Sequence, residues 1–333
     1  MSDEKIDFVM IWVDGGDPKW QEEKIKYSDN PYAVRNNVNR YRDWENLKYW
    51  FRGVEKFAPW VNNVYFITCG HYPKWLNLNH PKLKFVKHED YIPKEYLPTF
   101  SSHPIELNLH RIEELSEKFV YFNDDMFLIN KIDKEDFFKN GKPRFVAGCD
   151  AIWSQNYDDP FSHIILNDIS IINKYFNKKE TIKNNISKWL NFNYGLKAIA
   201  KTISFSFFNK FSSLTIPHLA MPILKETMEE LWKNESNIFE KTCQNKFRTK
   251  EDINQLVFSW YDIGRGNFEP SSNKLGRYYE IKENIQDVVN AIENKKYKMI
   301  CISDDMEVDF QKTKEEINGA LEKILPEKSS FEI

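Results

Sequence analysis

The sequence predicts an α/β fold in which a mostly parallel β-sheet is flanked by helices. Short apolar segments alternate along the chain with longer segments whose apolar residues recur every three or four positions. This alternation favours parallel strands joined by right-handed helical crossovers. Two of the apolar segments also end in a pair of aspartates, at the sheet edge where α/β proteins bind ligands. At 333 residues, of which 41% are hydrophobic, the chain can bury a large core, and residues 1–333 could form one enlarged α/β domain or two lobes.

Four strands are predicted in the first half, and the first of them is apolar almost throughout, which is typical of a central strand buried on both faces. They cover residues 6–13, 64–68, 83–87 and 119–122. The first of them breaks at Asp14-Gly15-Gly16-Asp17-Pro18, a strong turn signal. Residues 40–57 predict a helix, because their apolar side chains share one face and Pro59 follows.

The segment 98–130 is the centre of the predicted fold. Its apolar residues predict one buried face of a long helix and fall at Ile105, Leu109, Ile112, Leu115 and Phe119. Ser102 or His103 would cap this helix, and Pro104 suits its first turn. Residues 119–122 are too β-prone to continue it and predict a buried strand, which ends at Asn123-Asp124-Asp125.

The paired acids after this strand predict a metal site. Two adjacent carboxylates repel each other unless a cation neutralises them, and carboxylate oxygens suit Mg²⁺ or Mn²⁺, which in turn bind diphosphates. The alternative is that Asp124 and Asp125 only open a solvated turn. Residues 298–302 predict a second apolar strand that ends in Ser303-Asp304-Asp305, and this repetition strengthens the metal interpretation.

The second half of the chain has a less regular pattern. Residues 156–215 are rich in Asn, Lys and Phe and predict a helical insertion or lid. The aromatic residues of this segment are typical of a core, although its mixture of Lys and Phe could also lie on an anionic membrane. Helices are expected over residues 221–232 and 249–261, the latter capped by Thr249 with Asp252 in its first turn. We expect residues 326–333 to form a frayed tail.

Composition argues against several classes of protein. A net charge of −3 and a pI near 6.2 lack the basic footprint of nucleic-acid binding. We expect neither a spanning helix nor a secretory signal, because long apolar stretches are missing and the acidic start enters a strand directly. Four scattered cysteines are typical of reduced thiols in a cytoplasmic protein. The sequence has neither the GxGxxG nor the GxxxxGK[ST] fingerprint, which argues against a nicotinamide cofactor and a P-loop.

Several basic residues suggest phosphate chemistry. Guanidinium groups bind phosphate oxygens in pairs, and the candidates are Arg40, Arg42, Arg111 and Arg248. His218 could act as a general base or acid near neutral pH. Simpler interpretations stay open: a capping or surface histidine, arginines paired with acids on helix surfaces, and turn-forming aspartates at positions 14 and 17. The residues alone therefore predict an α/β enzyme that handles metal and phosphate.

Four separated blocks of the sequence carry a resemblance to a known family. The first contains Ile6-Asp7-Phe8-Val9, Trp12-Val13-Asp14-Gly15 and Asp17-Pro18. The second contains Arg40-Tyr41-Arg42, Ala58-Pro59-Trp60-Val61, Pro73-Lys74-Trp75-Leu76, Leu97-Pro98-Thr99-Phe100-Ser101-Ser102, His110-Arg111-Ile112-Glu113 and Asn123-Asp124-Asp125. The third contains Pro217-His218 and Phe247-Arg248-Thr249, and the fourth Cys301-Ile302-Ser303-Asp304-Asp305. In these blocks the chain resembles the Stealth family of sugar-1-phosphate transferases. The family includes bacterial capsular and exopolysaccharide phosphotransferases and the lysosomal-enzyme N-acetylglucosamine-1-phosphotransferase.

The match is long and specific in the second block, whereas residues 150–215 carry none. Ser303 stands where the family more often has Asn. The resemblance implies a single catalytic domain with a Rossmann-like, glycosyltransferase-A-related sheet. It also implies a divalent cation, Mg²⁺ or Mn²⁺, and a UDP-hexose or UDP-N-acetylhexosamine donor. The implied acceptor is an oligosaccharide or lipid-linked oligosaccharide, and nucleic acid is not expected as a partner.

The implied reaction is attack by an acceptor hydroxyl on the sugar-linked phosphorus. UMP would leave, a phosphodiester would join the two sugars, and the donor's anomeric configuration would be kept. The product would belong to a capsular, exo- or other cell-surface polysaccharide, made by a cytoplasmic protein that can contact the inner face of the plasma membrane peripherally. The alternative is an ordinary metal-dependent glycosyltransferase that releases UDP. A non-enzymatic carbohydrate-binding protein would have no evident use for paired acids at two strand ends.

The resemblance also implies roles for individual residues. Asp125, Asp304 and Asp305 would bind the cation, supported by Asp124. His218 would take the acceptor proton, with Asp17 as the alternative, and Arg248 would neutralise the phosphates. The expected substrate-binding residues are Asp14, Gly15, Arg40, Arg42, Ser101, Ser102, His110 and Arg111.

Overall fold

The computed structural model describes residues 4–28, 43–154, 156–281, 285–303 and 309–333. Within these ranges the strands are β1 (Asp7–Ile11), β2 (Val64–Thr68), β3 (Leu83–Lys87), β4 (Lys118–Phe122), β5 (Met126–Leu128), β6 (Phe138–Lys139), β7 (Lys142–Phe145), β8 (Cys149–Asp150), β9 (Ser213–Leu214), β10 (Met221–Leu224), β11 (Glu269–Pro270), β12 (Gly276–Glu280) and β13 (Met299–Ser303). The helices are α1 (Pro18–Lys26), α2 (Leu47–Phe57), α3 (His88–Tyr91), α4 (Ser102–Leu107), α5 (Lys134–Phe137), α6 (Pro160–Tyr175), α7 (Lys178–Asn184), α8 (Ile186–Trp189), α9 (Leu196–Phe205), α10 (Lys225–Asn234), α11 (Ser236–Gln244), α12 (Leu256–Gly264), α13 (Ile285–Glu293) and α14 (Phe310–Ile324).

The main sheet has five strands in the order β10-β4-β1-β2-β3. Strands β1 to β4 are parallel, and β10 joins the edge of β4 antiparallel. Phe8 of β1 pairs with Val64 on one side and Val120 on the other, and all three side chains are fully buried. The predicted α/β fold, with a mostly parallel sheet flanked by helices, is therefore confirmed.

The second acid-ended strand belongs to a different sheet. β13 lies between β12 and β5 in a three-stranded sheet, and it is antiparallel to β5. Because β5 follows β4 after a short turn, the ends of β4 and β13 still meet: the Ile302 amide donates to the Asp125 carbonyl at 2.9 Å. The two acid-ended strands thus lie in different sheets, and β5 is the reason that their ends meet.

The predicted helix over residues 105–119 is also wrong. Helix α4 ends at Leu107, and a 3₁₀ turn follows over Leu109–Arg111. The buried Asn108 amide donates to the Pro104 carbonyl at 2.8 Å, which ends the helix by local side-chain competition. Ile112 and Leu115 still enter the core, but from a turn.

Two later helices begin further along the chain than predicted. Residues 221–224 form the edge strand β10, because Pro222 is tolerated at a sheet edge but not inside a helix. Helix α12 begins at Leu256 and not at residue 249. The amide of Ile253 donates to the Thr242 hydroxyl and that of Asn254 to the Asp168 carboxylate, so neither needs a helical partner.

The expectation of a frayed tail over residues 326–333 is wrong. Phe331 is buried in the core beside Phe51, with ring centroids 5.3 Å apart. The Arg52 guanidinium donates to both oxygens of Glu332, at 2.9 and 3.0 Å. The tail is short and charged, but one aromatic anchor and one buried ion pair hold it on the domain.

Residues 156–215 form helices α6 to α9 within their described part. Ile165, Ile169, Ile172 and Trp189 of this segment pack into the same core as β4 and α12. In the described residues, no helix combines the length and the apolar character needed to cross a bilayer. All four cysteines carry free thiols, as expected.

Candidate functional site

Two adjoining cavities lie beyond the carboxyl end of β4. The larger, about 770 Å³, is lined by the loops that follow β1 and β4, by residues 99–102 and by residues 247–248. The smaller, about 560 Å³, is lined by residues 215–222, the start of α6 and residues 271–278. Both cavities are bordered by Ser102, Asn123, Pro160 and Arg248. These residues form the wall through which a ligand in one cavity would contact a ligand in the other.

The loop after β1 places Asp14 and Gly15 at the larger cavity. The Asp14 amide donates to His71 Nε2 at 2.7 Å, and the Asp14 carboxylate accepts from the Gly16 amide at 2.9 Å. Burial lowers the pKa of His71, against the opposing effect of Asp14 and Asp17. The imidazole therefore stays neutral and keeps the lone pair that this contact requires.

Asp17 has a structural role in this loop. Its Oδ1 accepts the Trp20 amide at 2.8 Å, so it caps helix α1. Asp17 is not among the described residues that line either cavity. Asp17 therefore differs in role from Asp14, with which the sequence pattern had grouped it, although its amide donates to the Asp14 carbonyl at 3.2 Å.

The aspartate pair lies at the floor of the larger cavity. Burial raises the pKa of Asp125 to about 6, although a hydrogen bond with the Cys301 thiol opposes the shift. The pKa of Asp124 is also raised, first by burial and second by the charge of Asp125. The Asp124 side chain nevertheless opens onto the solvent of the cavity, which weakens the effect of burial.

The pair fits a hard divalent cation. Asp125 Oδ1 is buried and has no hydrogen-bond partner in the described part of the chain, so an oxygen ligand is free to coordinate. The described residues contain no cluster of three or more His, Cys, Asp or Glu that would enclose a metal. Mg²⁺ does not require such a cage, because it is often held by one or two carboxylates together with water and substrate phosphates. Asp304 and Asp305, the other expected ligands, lie outside the described residues.

Ser101 and Ser102 are positioned by the start of α4. Ser101 caps this helix by accepting the His103 amide at 3.3 Å, and Ser102 Oγ accepts from Arg248 Nη2 at 2.8 Å. The rings of Phe100 and Phe247 stack beside this contact, with centroids 5.3 Å apart and planes 19° apart. The hydrogen bond between Arg248 and Ser102 and the stacking of Phe247 on Phe100 thus join residues 246–248 to residues 99–103.

Asp252 holds the Arg248 loop in place. Its carboxylate accepts from the Thr249 hydroxyl and amide at 2.7 and 3.0 Å and from the Asn245 amide at 2.7 Å, and it lies 3.0 Å from His103 Nδ1. Burial alone would raise the pKa of Asp252, but hydrogen bonds from His103, Thr249 and Asn245 hold it below its usual value. The ionised carboxylate therefore orients the loop that carries Arg248.

His218 lines the smaller cavity, with Arg248 in the shared wall. Its backbone has a φ of 48°, a left-handed conformation that non-glycine residues adopt infrequently. Its ring lies against Tyr278 and Phe161, with centroids 4.9 and 6.0 Å away. Burial lowers the pKa of His218 from its normal value of 6.5, so the ring is neutral at pH 7. The side chain is nevertheless exposed to the solvent of the cavity.

The sequence reasoning missed Glu106, which also lines the smaller cavity. Its side chain is 3% exposed; Oε1 accepts from the Tyr121 hydroxyl at 3.0 Å, and Oε2 has no hydrogen-bond partner among the described residues. Glu106 follows Ser102 by one helical turn, so both side chains lie on the same face of α4. That spacing is the sequence signal that could have identified it.

His110 and Arg111 lie away from both cavities. The His110 ring contacts Trp232 at a tilt of 42° with centroids 5.6 Å apart, and burial lowers the pKa of His110 to about 4. The Arg111 guanidinium lies 4.7 Å from the centre of the same ring, and its Nε donates to Asn108. Both residues therefore have a structural role in the turn that follows α4.

The structure thus brings most of the expected site residues together. The larger cavity gathers Asp14, Gly15, Ser101, Ser102, Asp124, Asp125 and Arg248, and the smaller adds His218. Asp17, His110 and Arg111 are placed elsewhere, and Arg40 and Arg42 lie outside the described residues. Lys24 of α1 also lines the larger cavity, and no motif in the sequence had indicated it.

The comparisons with known proteins identify the family of the chain. Residues 4–32 match the family model "Stealth protein CR1, conserved region 1", and residues 40–145 match "Stealth protein CR2, conserved region 2". The chain is 44% identical over 329 residues to a capsular polysaccharide phosphotransferase WcwK of Streptococcus pneumoniae, covering 98% of both chains. It is 39% identical over 334 residues to the receptor polysaccharide phosphotransferase WefC of Streptococcus oralis, covering 99% of both. It is 35% identical over 330 residues to the exopolysaccharide phosphotransferase cps2G of Lactiplantibacillus plantarum, covering 98% of this chain and 96% of the relative. Matches of this identity over nearly the full length of both chains establish the family, and the chain belongs to the Stealth family.

Proposed function

We propose that the chain is a polysaccharide phosphotransferase that moves a hexose 1-phosphate or N-acetylhexosamine 1-phosphate from a UDP-sugar to a sugar hydroxyl. UMP leaves, and a phosphodiester is formed in a capsular, exo- or other cell-surface polysaccharide. The observation that carries the proposal is the position of Arg248, which borders both cavities and donates to Ser102 at 2.8 Å. The names of the relatives, which are phosphotransferases of capsular, receptor and exopolysaccharides, support it.

The larger cavity suits the nucleotide part of the donor. Its walls include Trp12, Trp44 and Phe100, aromatic surfaces that can stack on a base. Its floor holds Asp124 and Asp125, which would bind Mg²⁺ or Mn²⁺. When bound, the cation would neutralise the diphosphate and make UMP a better leaving group. The protein's own contribution is to hold the diphosphate between this floor and Arg248.

The smaller cavity suits the acceptor. Its lining is largely apolar, with a few polar groups that converge on the shared wall, among them His218 and Glu106. The pyranose rings of a saccharide present apolar faces and polar edges, which match such a lining. The unpartnered Glu106 Oε2 would accept a hydrogen bond from an acceptor hydroxyl.

The chemical step needs a base on the acceptor side and positive charge at the phosphate. A neutral His218 can take the proton of the attacking hydroxyl, because its lowered pKa leaves a ring nitrogen unprotonated at neutral pH. Arg248 would bind the non-bridging oxygens of the sugar-linked phosphate as their charge grows in the transition state. The hydroxyl oxygen forms a bond to the sugar-linked phosphorus as the bond from that phosphorus to the UMP oxygen breaks. The bond between the anomeric carbon and its oxygen is not broken, so the configuration at that carbon is retained.

Nucleotide analysis tests the proposal. The full chain is incubated with Mg²⁺, a panel of UDP-sugars and oligosaccharide acceptors, and the nucleotides are separated by ion-exchange chromatography. The proposal predicts acceptor-dependent UMP, which Asp125→Asn abolishes and the exposed control Asp158→Asn leaves unchanged. Release of UDP in place of UMP would identify an ordinary glycosyltransferase and overturn the proposal.

A further inference from the structure

Helix α9 exposes an apolar surface that is unusual for a soluble domain. The side chains of this surface, here called the α9 patch, are exposed by 50 to 85% and comprise Phe192, Leu196, Ile203, Phe207 and Phe208. Leu196 and Ile203 lie seven positions apart and so share one face of the helix, with Ala200 between them. Exposed apolar residues grouped along one helix and its two ends mark an interaction site more often than apolar residues exposed singly.

The opposite face of α9 is already used. Thr202 is buried and accepts the Cys149 amide at 3.2 Å, and Ala198 and Phe205 pack against the core. At the end of the helix, Lys178 Nζ lies 5.9 Å from the centre of the Phe208 ring and donates to the Phe205 carbonyl. The helix is therefore held firmly on the domain, with its apolar patch directed outward.

The charge around the patch identifies its partner. Residues 178–211 contain seven lysines and one glutamate, with no aspartate or arginine, in a chain whose net charge is −3. Lys178, Lys188 and Lys201 are engaged with the protein itself, whereas Lys179 and Lys197 are exposed. Exposed aromatic and aliphatic side chains flanked by lysines are the pattern of a helix that lies in the interface of an anionic membrane.

A tryptophan lies beside the patch. Trp153 is 69% exposed, and Lys201 Nζ lies 6.0 Å from the centre of its ring. Indole rings prefer the boundary between water and lipid, because one end is apolar and the other donates a hydrogen bond.

We propose that the α9 patch docks the protein peripherally on an anionic lipid bilayer. The docking deepens the proposed function in one respect. Cys149 of β8 pairs with Leu214 of β9, and residues 215–219 continue from β9 into the lining of the smaller cavity. Docking through α9 would thus bring the acceptor side of the site to the membrane, where a lipid-linked oligosaccharide is held.

Co-sedimentation with vesicles tests the proposal on the full chain. The wild-type protein is expected to bind vesicles of phosphatidylcholine mixed with phosphatidylglycerol at low salt, to be released by high salt, and not to bind phosphatidylcholine alone. The double variants Phe207→Ser/Phe208→Ser and Lys179→Gln/Lys197→Gln should each bind roughly tenfold more weakly or worse. The matched controls Ile333→Ser and Lys94→Gln/Lys139→Gln alter exposed residues outside the α9 segment and should bind like wild type.

Three results separate the explanations. Failure of the wild type to bind anionic vesicles at low salt, or equal binding by patch variants and controls, would overturn the proposal. So would a wild-type dimer in light scattering that Phe207→Ser/Phe208→Ser converts to a monomer, since the patch would then cover a second copy. UMP release on a water-soluble acceptor should be unchanged in the patch variants, so vesicle binding without any UMP release would contradict the proposed function and leave the docking intact.

Discussion

His103 Nδ1 lies 3.0 Å from Asp252 Oδ2, and this buried contact joins two segments that are 149 residues apart in the chain. His103 neighbours Ser102, and Asp252 holds the loop of Arg248, so the contact positions Ser102 and Arg248, two of the four residues that border both cavities. Neither His103 nor Asp252 needs to touch substrate for this role. We interpret them as positioning residues.

Asp252→Asn tests this interpretation. Asn has nearly the size of Asp but lacks the negative charge that contacts Thr249, Asn245 and His103. We therefore expect the free energy of unfolding to fall by about 2–4 kcal/mol. In the folded fraction, kcat should also fall by about tenfold or more because Arg248 is displaced. Urea unfolding and steady-state kinetics measure the two effects.

The matched control is Asp262→Asn, which disrupts another buried carboxylate, paired with Arg265 and Thr227. It should cost comparable stability and leave the kcat of the folded protein unchanged. An Asp252→Asn enzyme that is destabilised but fully active when folded would show that the contact is structural only.

The aspartate pair leads to a prediction that does not depend on activity. Mg²⁺ should raise the thermal midpoint of the wild type, because a ligand that binds only the folded state stabilises it. Asp125→Asn should abolish this rise, and Asp158→Asn should retain it. Differential scanning fluorimetry with Mg²⁺ and with EDTA makes the comparison, and an equal rise in all three proteins would contradict the assignment of Asp125.

Glu106 should distinguish the two cavities kinetically. Glu106→Gln replaces the acceptor that Oε2 offers to a ligand hydroxyl, so we expect the KM for the saccharide acceptor to rise about tenfold. The KM for the UDP-sugar should stay within about twofold, because Glu106 lines only the smaller of the two cavities. Glu113→Gln, at an exposed position nearby, is the control. A change confined to the donor KM would assign the cavities the other way round.

His110 should control stability and not substrate binding. Its pKa falls from a normal value of 6.5 to about 4 on burial, so the unfolded state binds the extra proton between these values. The neutral His110 ring therefore contributes its full share to the free energy of unfolding above pH 6.5, and this contribution is lost as the pH falls toward 4. His110→Gln should therefore flatten the decline in unfolding free energy over this range by about 2 kcal/mol. Urea unfolding from pH 7 to pH 4 measures the slope, and a steep decline retained in the variant would refute the explanation.

The local pattern of the sequence was sufficient for the parallel strands β1 to β4 of the main sheet, but not for its antiparallel edge strand β10. β2 and β3 begin and end at the predicted residues, because each is a short β-prone segment bounded by turns. The pattern failed where a side chain competes with the backbone. Asn108 ends α4 through its own amide, and the Asp252 carboxylate is used by a partner far away in the chain.

The residues of the candidate site also divide into those that local sequence patterns could predict and those that they could not. Asp14, Asp125 and Arg248 could be predicted because they follow strands or fall in motif blocks whose positions in the fold are determined. Asp252 could not, because its role comes from tertiary contacts that leave no local periodicity. Glu106 was missed although its spacing of one helical turn from Ser102 places both side chains on one face of α4. Asp17 was grouped with the site by its spacing, but its carboxylate caps α1.

The central claim is that the acceptor attacks the sugar-linked phosphorus, and tracing that atom tests it most directly. A UDP-sugar labelled with ³³P in the sugar-linked phosphate is incubated with the wild type, with Arg248→Lys and with a saccharide acceptor, and the products are separated. We predict that the label enters the saccharide as a phosphodiester while unlabelled UMP is released, and that Arg248→Lys slows both together. Label that stays in UDP while unlabelled sugar joins the acceptor would contradict the account.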